Sequence, residues 1–407
     1  MARVLVLDGH SPAGLAFTRS LGRAKHWVAV GSNHGISAPA ASSRYCRLRF
    51  TYLVPSEDAA GFVEAVLQFA RRNHIELILP MTDWTVLPLS KYRDRFEGVS
   101  RIAVGSESGL QIAADKFRTI ALAQELGISV PETSLIRSLE ELDGVSGPYK
   151  FPVVVKDRFS LRWEGDCAIA GSVVYAYSQY DLRQKVGERL QRVSDVLIQQ
   201  FVPGEGIGFS ALAIGQAAFL PFMWLRVRET DPRGSGSAAA ISIPIIAELK
   251  KSSEALIARA GLEGVSMVEF KRPRDGGSPV LMEINARPWG SIPLAIACGV
   301  DYPLFFADWI LNGDRPPQEI PYKQGILCRR FVNDLTHLEH TYHGTPAGWP
   351  IPYPGFLRTL LTISVPWYPG MRYADLWLHD PAPGWVGLGG WLRGHFPRSK
   401  SSTKTSK

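Results

Sequence analysis

The residues of this sequence best suited to chemistry are two glutamates on neighbouring predicted strands. Glu269 and Glu283 each lie in an apolar run typical of a strand, and residues 272–279 between the runs are rich in Pro and Gly, which predicts a turn. A hairpin centred near 275–276 would bring Glu269 opposite Glu283 or its neighbour. Because alternate residues of a strand share a face, Glu269, Glu283 and Asn285 would converge on one side of the sheet.

Two like charges directly opposite each other destabilise a plain sheet. They become favourable when a divalent cation lies between them, and two carboxylates with an amide carbonyl are hard oxygen ligands of the kind that Mg²⁺ prefers. Arg287, which follows Asn285 closely, would reach phosphate groups bound to the same ion. The alternative is that the glutamates are solvated and paired with Lys271 and Arg287, and the spacing alone leaves both interpretations open.

Residues suited to binding phosphate precede this hairpin. Lys156 ends an apolar strand that would hold its ammonium group rigidly, and Lys116 opens a predicted helix whose N-terminus attracts phosphate. A loop of small residues that includes Ser235 and Gly236 has backbone N–H groups free to wrap a triphosphate. Each feature also has a purely structural explanation as a strand end, a helix start or a flexible turn.

A further segment is suited to a planar base and a sugar. Gln199, Gln200 and Val202 end an amphipathic strand, where polar and apolar side chains would hold the edge of a base. Glu205 would accept hydrogen bonds from ribose hydroxyls. Taken with the lysines and the glutamates, this segment favours a nucleoside triphosphate site over a solvated hairpin.

The elements that must position these residues fall into two regions. Over 1–110, short apolar runs alternate with helical stretches, which predicts a parallel sheet covered by helices, an α/β unit. Over 111–312, longer β-branched runs are joined by Gly-rich loops, which predicts an α+β region rich in antiparallel strands.

The rest of the chain has a different composition. Residues 313–396 are rich in Trp, Tyr and Pro, and we interpret them as a C-terminal appendage that packs aromatic side chains against the main body. Residues 397–407 are basic and rich in Ser and Thr, which predicts disorder. A peripheral membrane contact is the alternative role, because Trp391 and Leu392 precede this basic tail.

Taken in order, these segments resemble the ATP-grasp superfamily, and most closely its carboxylate–amine ligase branch, which includes carbamoyl-phosphate-synthetase-like domains. The resemblance covers about residues 1–312. Its most specific parts are 267–271 (MVEFK) and 282–290 (MEINARPWG), and its supporting parts are 115–116, 153–156 and 198–205. It implies a flavodoxin-like parallel sheet followed by a two-subdomain ATP-grasp fold with ATP between the subdomains, and then the aromatic-rich C-terminal extension.

The resemblance also implies a role for each matching residue. Glu269, Glu283 and Asn285 would bind Mg²⁺ (or Mn²⁺), Lys116 and Lys156 would hold the ATP phosphates, Gln200 and Val202 would edge the adenine, Glu205 would hold the ribose, and Arg287 would stabilise the transferring phosphoryl group and the tetrahedral intermediate. The sequence departs from the family at Gln199-Gln200, where many relatives carry an acidic residue at the adenine hinge. A Gln amide can still accept from the adenine amino group.

The implied activity is an ATP-dependent ligase that activates a carboxylate as an acyl phosphate and joins it to an amine. Arg226 and Arg228 are candidate carboxylate anchors, and Arg158 and Trp289 are candidate lining residues of the acceptor pocket. Two other functions remain open. The first is a kinase of the same fold, for which His10 or Asp83 would be the base, and the second is a non-catalytic ATP-binding sensor or scaffold.

Composition limits the remaining possibilities. The net charge of +7 is spread along the 407 residues rather than gathered in a stripe, so we predict no nucleic-acid partner. The sequence Asp8-Gly-His-Ser-Pro-Ala-Gly14 is not a dinucleotide-binding fingerprint. The four cysteines are widely spaced and no apolar run is long enough to span a bilayer, so we predict a cytoplasmic protein with reduced thiols. Small-molecule substrates are expected as partners, and a homodimer is left open.

Overall fold

The computed structural model describes residues 1–144, 149–274 and 276–395. The chain begins with a five-stranded parallel sheet whose strands are β1 (Arg3–Val6), β2 (Trp27–Asn33), β3 (Cys46–Tyr52), β4 (Leu77–Leu79) and β5 (Arg101–Ile102). Helices α1 (Pro12–Arg23), α2 (Ala59–Asn73), α3 (Asp83–Lys91) and α4 (Glu107–Ala114) connect or follow these strands, with short 3₁₀ turns at Pro39–Ser42 and Arg93–Phe96. The expected parallel α/β unit is therefore present. β1 and β4 are completely buried except for Arg3, as strands covered on both faces should be.

The order of these strands corrects one expectation. They are arranged β3-β2-β1-β4-β5, whereas flavodoxin-like sheets have the order 2-1-3-4-5. The difference arises from β3, which pairs with the outer side of β2 and was not predicted as a strand. Its apolar residues alternate with exposed Arg47 and Arg49, so β3 has no continuous apolar run.

The middle of the chain forms a four-stranded antiparallel sheet of order β10-β7-β11-β6 and a separate hairpin β8-β9. The elements are α5 (Lys116–Glu125), β6 (Thr133–Ile136), α6 (Leu139–Gly144), β7 (Val153–Asp157), β8 (Leu161–Glu164), β9 (Cys167–Ala170), β10 (Val173–Ala176), α7 (Gln179–Leu190) and β11 (Val196–Gln200). This sheet has its own small core, in which α7 packs Leu182 and Val186 against β7 and β11.

A seven-stranded sheet of order β16-β15-β12-β13-β14-β17-β18 completes the fold. Its elements and the attached helices are β12 (Gly204–Ile214), β13 (Ala217–Glu229), β14 (Ser237–Ile243), α8 (Ala247–Ala260), β15 (Gly264–Pro273), β16 (Val280–Asn285), α9 (Ile292–Cys298), α10 (Tyr302–Asn312), β17 (Leu327–Arg329), α11 (Phe331–His343), α12 (Phe356–Ser364), β18 (Met371–Tyr373) and α13 (Ala382–His395). One face packs on α4, α5 and α8, and the other shares a core with α1, α9 and α10.

The C-terminal segment is joined to this sheet more closely than an appendage would be. β17 pairs antiparallel with β14, and β18 pairs parallel with β17, so residues beyond 312 supply two of the seven strands. Asp380 also accepts a hydrogen bond from the buried guanidinium of Arg19 at 2.8 Å, which ties the segment to α1. The predicted disordered tail, 397–407, lies outside the described residues.

The tryptophans of this segment are divided between the body and the surface. Trp349 packs against Tyr175 and Phe201, and Trp377 lies under Arg19 with the guanidinium 4.4 Å from its ring centroid. Trp367 and Trp385 are exposed instead. Aromatic packing against the main body therefore describes only part of the segment.

Within the described ranges, no single helix is long and apolar enough to cross a membrane. α9 and α10 together have the length and composition of a span, but they meet at an angle of 94°.

Candidate functional site

The glutamate hairpin has the register that the sequence predicts. β15 and β16 are antiparallel, Glu269 directly faces Glu283, and Met267 faces Asn285. A bulge interrupts the pairing between Glu269 and Phe270, and its extra residue, Met282, lies on β16. Asp275, near the expected centre of the turn, lies outside the described residues. The Glu283 carboxylate accepts a hydrogen bond from the Asn285 amide at 2.8 Å, so the three side chains form one group.

Glu269 is the most buried member of this group, with 9% of its surface exposed. Burial raises the pKa of its carboxyl group, and the facing charge of Glu283 raises it further against the opposing effect of Arg226. The Arg226 guanidinium donates to the Glu269 carboxylate at 2.8 Å and also reaches Glu229 at 3.1 Å. The site thus holds buried negative charge that a single arginine balances only in part.

This donor set fits a hard divalent cation. Two carboxylates and an amide oxygen lie on facing strands, and their mutual repulsion is the force that a cation between them would relieve. Within the described parts of the chain, no three His, Cys, Asp or Glu side chains gather into a complete metal site. An ion held by Glu269, Glu283 and Asn285 would therefore take its other ligands from water or from a bound substrate, as Mg²⁺ commonly does.

Two lysines face the same group from the smaller sheet and from α5. Lys156 is 6% exposed, and its ammonium group donates to the Gln199 amide oxygen at 2.8 Å. Burial lowers the pKa of Lys156 to about 8, the charge of Lys116 lowers it further, and Glu283 opposes both effects. Lys116, the first residue of α5, donates to Ser160 at 2.9 Å, and burial lowers its pKa while Glu283 raises it. Both lysines therefore lie within electrostatic reach of Glu283.

These residues line one cavity of about 450 Å³ between the four-stranded and seven-stranded sheets. That volume is typical of a site for a small molecule. The residues selected from the sequence that line it are Lys116, Lys156, Gln199, Gln200, Val202, Arg226, Ser235, Gly236, Glu269, Glu283, Asn285, Arg287 and Trp289. The long separations in sequence are bridged because β7, β11, β13, β15 and β16 each present a face to the cavity.

Three other selected residues do not line this cavity, because ion pairs hold them elsewhere. Arg158 is bound by Asp115 at 2.6 Å and by Asp195 at 3.0 Å. The guanidinium of Arg228 is paired with the buried carboxylate of Asp334 and donates to Thr362. Glu205 is half-exposed and paired with Arg272 at 2.7 Å. Arg226 and Arg228 would share a face of a regular strand, but a bulge on β13 lies between them, so the two side chains meet different neighbours.

Gln199 lies in the cavity wall, but both ends of its amide are occupied. Its oxygen accepts from Lys156, and its nitrogen donates to Thr133 at 2.9 Å. Gln200, in contrast, donates to the backbone of Lys150 and leaves its amide oxygen without a protein donor among the described residues. The neighbouring Phe201 forms an edge-to-face aromatic cluster with Tyr175 and Trp349, which fixes this end of β11.

Arg287 connects the cavity to the N-terminal sheet. Its guanidinium donates to the Asp83 carboxylate at 2.9 Å, and Asp83 is the first residue of α3 at the carboxyl end of β4. Burial lowers the pKa of Arg287, but the negative charges of Asp83 and Glu283 outweigh this effect, so the pKa is raised. Asp83 is therefore engaged as an ion-pair partner, while the buried His10 Nδ1 has no hydrogen-bond partner among the described residues.

Arg330 lines the cavity and was not selected from the sequence. It lies between β17 and α11, and its guanidinium has no ion pair or hydrogen bond within the described residues. Burial lowers its pKa, and the opposing charge of Asp375 offsets this only partly. The signal in the sequence is the pair Arg329-Arg330 directly after an apolar run. An appendage over 313–396 would have placed this pair outside the site.

Several known proteins are similar to this chain. A family model described as "ATP-grasp in the biosynthetic pathway with Ter operon" matches residues 195–332. The carbamoyl phosphate synthase arginine-specific large chain of Bacillus subtilis is 18% identical over 60% of this chain and 22% of its own length. The carbamoyl phosphate synthase large chain of Gemmatimonas aurantiaca is 25% identical over 65% of this chain and 24% of its own. The chain thus spans about a quarter or less of the curated relatives it matches.

Solved structures show the same fold. An L-amino acid ligase from Bacillus licheniformis superposes with a TM-score of 0.57 at 14% identity, covering 77% of this chain and 74% of its own. N5-carboxyaminoimidazole synthetase from Staphylococcus aureus, complexed with ADP, has a TM-score of 0.59 at 15% identity and covers 80% of each chain. A biotin carboxylase from Campylobacter jejuni has a TM-score of 0.63 at 12% identity, covering 80% and 74%. At these identities the likeness concerns the fold.

Proposed function

We propose, from the premise that this chain contains an ATP-grasp domain of the carboxylate–amine ligase kind, that it is an ATP- and Mg²⁺-dependent ligase. It activates a carboxylate as an acyl phosphate and joins it to an amine, releasing ADP and phosphate. The observation that carries the proposal is the cavity in which Glu269, Glu283, Asn285, Lys116 and Lys156 meet.

The two sheets have separate tasks in this proposal. Lys156 and Lys116 hold the triphosphate from the side of the smaller sheet, and Gln200 and Val202 edge the adenine. Because the amide of Gln199 is occupied by Lys156 and Thr133, we assign Gln199 to orienting Lys156 rather than to contacting the base. Ribose binding by Glu205 requires its ion pair with Arg272 to open.

The larger sheet provides the negative side of the site. Glu269, Glu283 and Asn285 would hold Mg²⁺, and a bound Mg²⁺ would neutralise part of the charge on the phosphate oxygens. Arg226 keeps Glu269 in place through its 2.8 Å hydrogen bond. Arg287, held by Asp83, is placed to stabilise negative charge on the transferring phosphoryl group.

The chemistry needs two displacements. A substrate carboxylate oxygen attacks the γ-phosphorus, and the bond from that phosphorus to the bridging oxygen of ADP breaks. The amine nitrogen then attacks the acyl carbon, phosphate leaves with the former carboxylate oxygen, and the amine proton passes to solvent. The chain positions the reactants, and the loop containing Ser235 and Gly236 shields the acyl phosphate from water.

The substrate carboxylate needs a cation that the phosphates do not already occupy. Arg330 meets that need, because it lines the cavity, as Trp289 and Ser291 do, and its guanidinium has no hydrogen-bond or ion-pair partner in the described residues. We assign Arg330 to the substrate carboxylate. Arg158 and Arg228 have this role only if their ion pairs with Asp115 and Asp334 are released.

Replacing Arg330 by Met is expected to raise the KM for the carboxylate substrate by about a hundredfold, because a buried charge-assisted hydrogen bond is lost. The KM for ATP is expected to change by less than about twofold, since other residues bind the phosphates. Steady-state kinetics with each substrate varied in turn measures both values. Arg330→Lys should recover part of the loss. A rise in the KM for ATP alone would show that Arg330 serves the nucleotide instead.

The pKa of Lys156 predicts a pH dependence. Lys156 binds phosphate only when protonated, so kcat/KM for ATP is expected to fall as the pH rises through about 8. The alkaline fall in kcat should occur at a higher pH than the fall in kcat/KM, because bound phosphate stabilises the charged lysine. Lys156→Arg, whose guanidinium stays charged, should lose this alkaline limb even if its rate is lower. An unchanged alkaline limb in Lys156→Arg would assign the titration to another group.

One experiment tests the function itself. The purified protein is incubated with Mg-ATP and pools of amino acids and small carboxylates, and ADP, phosphate and product masses are followed. Amine-dependent phosphate release with a condensation product supports the ligase, and hydroxylamine should trap the acyl phosphate as a hydroxamate. A phosphorylated product without free phosphate would mean a kinase. ATP binding without turnover on any pool would favour a sensor or scaffold.

Some finer features belong to the same proposal. We propose the division into 1–110, 111–312, 313–396 and 397–407, with the third part completing the large sheet of the second. We likewise propose a cytoplasmic location and a homodimer; a biotin carboxylase domain from Hydrogenobacter thermophilus, which is similar in fold, forms a dimer. Gel filtration with light scattering measures the oligomeric state directly.

A further inference from the structure

Helix α12 exposes its apolar side. Leu357 and Leu361 are 71% and 72% exposed, whereas Thr359 and Ile363 on the opposite side are buried against α11. With 100° between successive residues, Leu357, Leu360 and Leu361 fall within one arc of the helix surface. A helix of a globular protein normally buries such an arc, so a surface of leucines facing solvent indicates a binding role.

The exposed surface continues beyond the helix. Tyr342, at the end of α11, is exposed and meets the Phe356 ring at 5.6 Å. Val365, Trp367 and Tyr368 follow α12 directly, and each is at least two-fifths exposed. We name the C-terminal apolar patch as the set Tyr342, Leu357, Leu361, Val365, Trp367 and Tyr368.

The charges around the patch identify the kind of partner. Residues 340–374 contain no Asp or Glu, but they contain Arg358, which is exposed on α12 and has no ion-pair partner in the described part of the chain. Residues 381–407 also lack acidic residues and carry Arg393, Arg398, Lys400, Lys404 and Lys407. Leucine with Trp and Tyr, flanked in sequence by basic residues, is the composition that favours the interface of an anionic membrane.

We propose that the C-terminal apolar patch docks the protein on the surface of an anionic phospholipid membrane. The leucines and Trp367 enter the boundary between headgroups and acyl chains, and Arg358 contacts the lipid phosphates. The contact is peripheral, because α12 lies along the surface and no single described helix is long enough to span a bilayer. This inference is independent of the proposed ligase activity, since none of the patch residues lines the cavity.

The test is vesicle flotation with the full-length protein. Wild-type protein is expected to float with vesicles of phosphatidylcholine and phosphatidylglycerol, and to float less with phosphatidylcholine alone or at high salt. The double variant Leu357→Gln with Leu361→Gln is expected to lower the partition coefficient by about tenfold or more, because both side chains lose their transfer into the interface. Arg358→Glu should weaken binding to the anionic vesicles only.

Control variants distinguish membrane docking from binding of a different partner at the patch. Tyr180→Ser changes a side chain that is 81% exposed on α7 and is not part of the patch, and it should leave flotation unchanged. The urea midpoint of each variant checks folding. Failure to float on anionic vesicles overturns the proposal, as does flotation that survives the leucine changes. A dimer in light scattering that the leucine changes dissociate, with no flotation, would assign the patch to a second copy of the chain and would equally overturn it.

Discussion

Turnover should fall by at least about a thousandfold when Glu283 is replaced by Gln, because the site loses a charge that it needs at the reacting phosphate. Glu283 faces Glu269 across the hairpin, holds the Asn285 amide at 2.8 Å and acts on the pKa of both Lys116 and Lys156. Gln keeps the shape of the side chain and removes only its charge. The measurement is kcat with Mg-ATP at saturating substrates.

Stability is expected to change little in this variant. Removing the charge of Glu283 relieves its repulsion of Glu269 but also removes its attraction to Lys116 and Lys156, so the free energy of unfolding should stay within about 1 kcal/mol of the wild type. Urea denaturation separates a folded inactive variant from an unfolded one. Glu248→Gln, an exposed position on α8, is the matched control and should keep full turnover. A Glu283→Gln enzyme with the turnover of the wild type would refute the assignment of the metal site.

The second large effect concerns stability at Asp334. This carboxylate is completely buried on α11 and pairs with Arg228 and with Arg329, the latter at 2.7 Å. Replacing Asp334 by Ala leaves two guanidinium groups without their counter-ion in the interior. The free energy of unfolding is expected to drop by about 3–5 kcal/mol, as it does when one partner of a buried pair is removed. The urea midpoint, with an unchanged slope, measures it.

Exposure distinguishes this pair from an ordinary surface ion pair. Asp143 is half-exposed and paired with Arg183 at the surface. Asp143→Ala is therefore the matched control, and its free energy of unfolding is expected to change by less than about 1 kcal/mol. Equal losses of unfolding free energy in the two variants would mean that the burial of Asp334 does not increase its contribution to stability. Because Arg329 ends β17, a large loss at Asp334 would also show that the C-terminal strands belong to the same cooperative unit.

The local arrangement of the glutamates could be predicted from the sequence. Two apolar runs with a Pro- and Gly-rich turn between them define a hairpin, and alternation then determines which side chains share a face. For this reason the sequence alone predicts that Glu269 faces this part of β16 and that Asn285 lies on the same side as Glu283, and the structure has Glu269 opposite Glu283. The strand–helix alternation at the start of the chain was accessible for the same reason, since it too depends on neighbours in sequence.

Pairings between distant segments were decided only by the tertiary structure. Arg226 and Arg228 look equivalent in sequence, yet one reaches Glu269 and the other is taken by Asp334, more than a hundred residues away along the chain. The sequence around Gln199 likewise does not indicate that its amide would be hydrogen-bonded to Lys156 and Thr133. Such ion pairs and hydrogen bonds depend on which strands become neighbours, and periodicity along one strand does not specify its neighbours.

The order of the strands and the position of the C-terminal segment likewise depend on which distant segments become neighbours. The sequence determined a glutamate hairpin, two lysines suited to phosphate and a parallel α/β unit, because each depends on local spacing. The tertiary structure decided that β3 lies outside β2, that β17 and β18 extend the large sheet, and that Arg330 therefore enters the cavity. All available strand edges compete for partners when a sheet forms, and burial over the whole chain determines which strands pair.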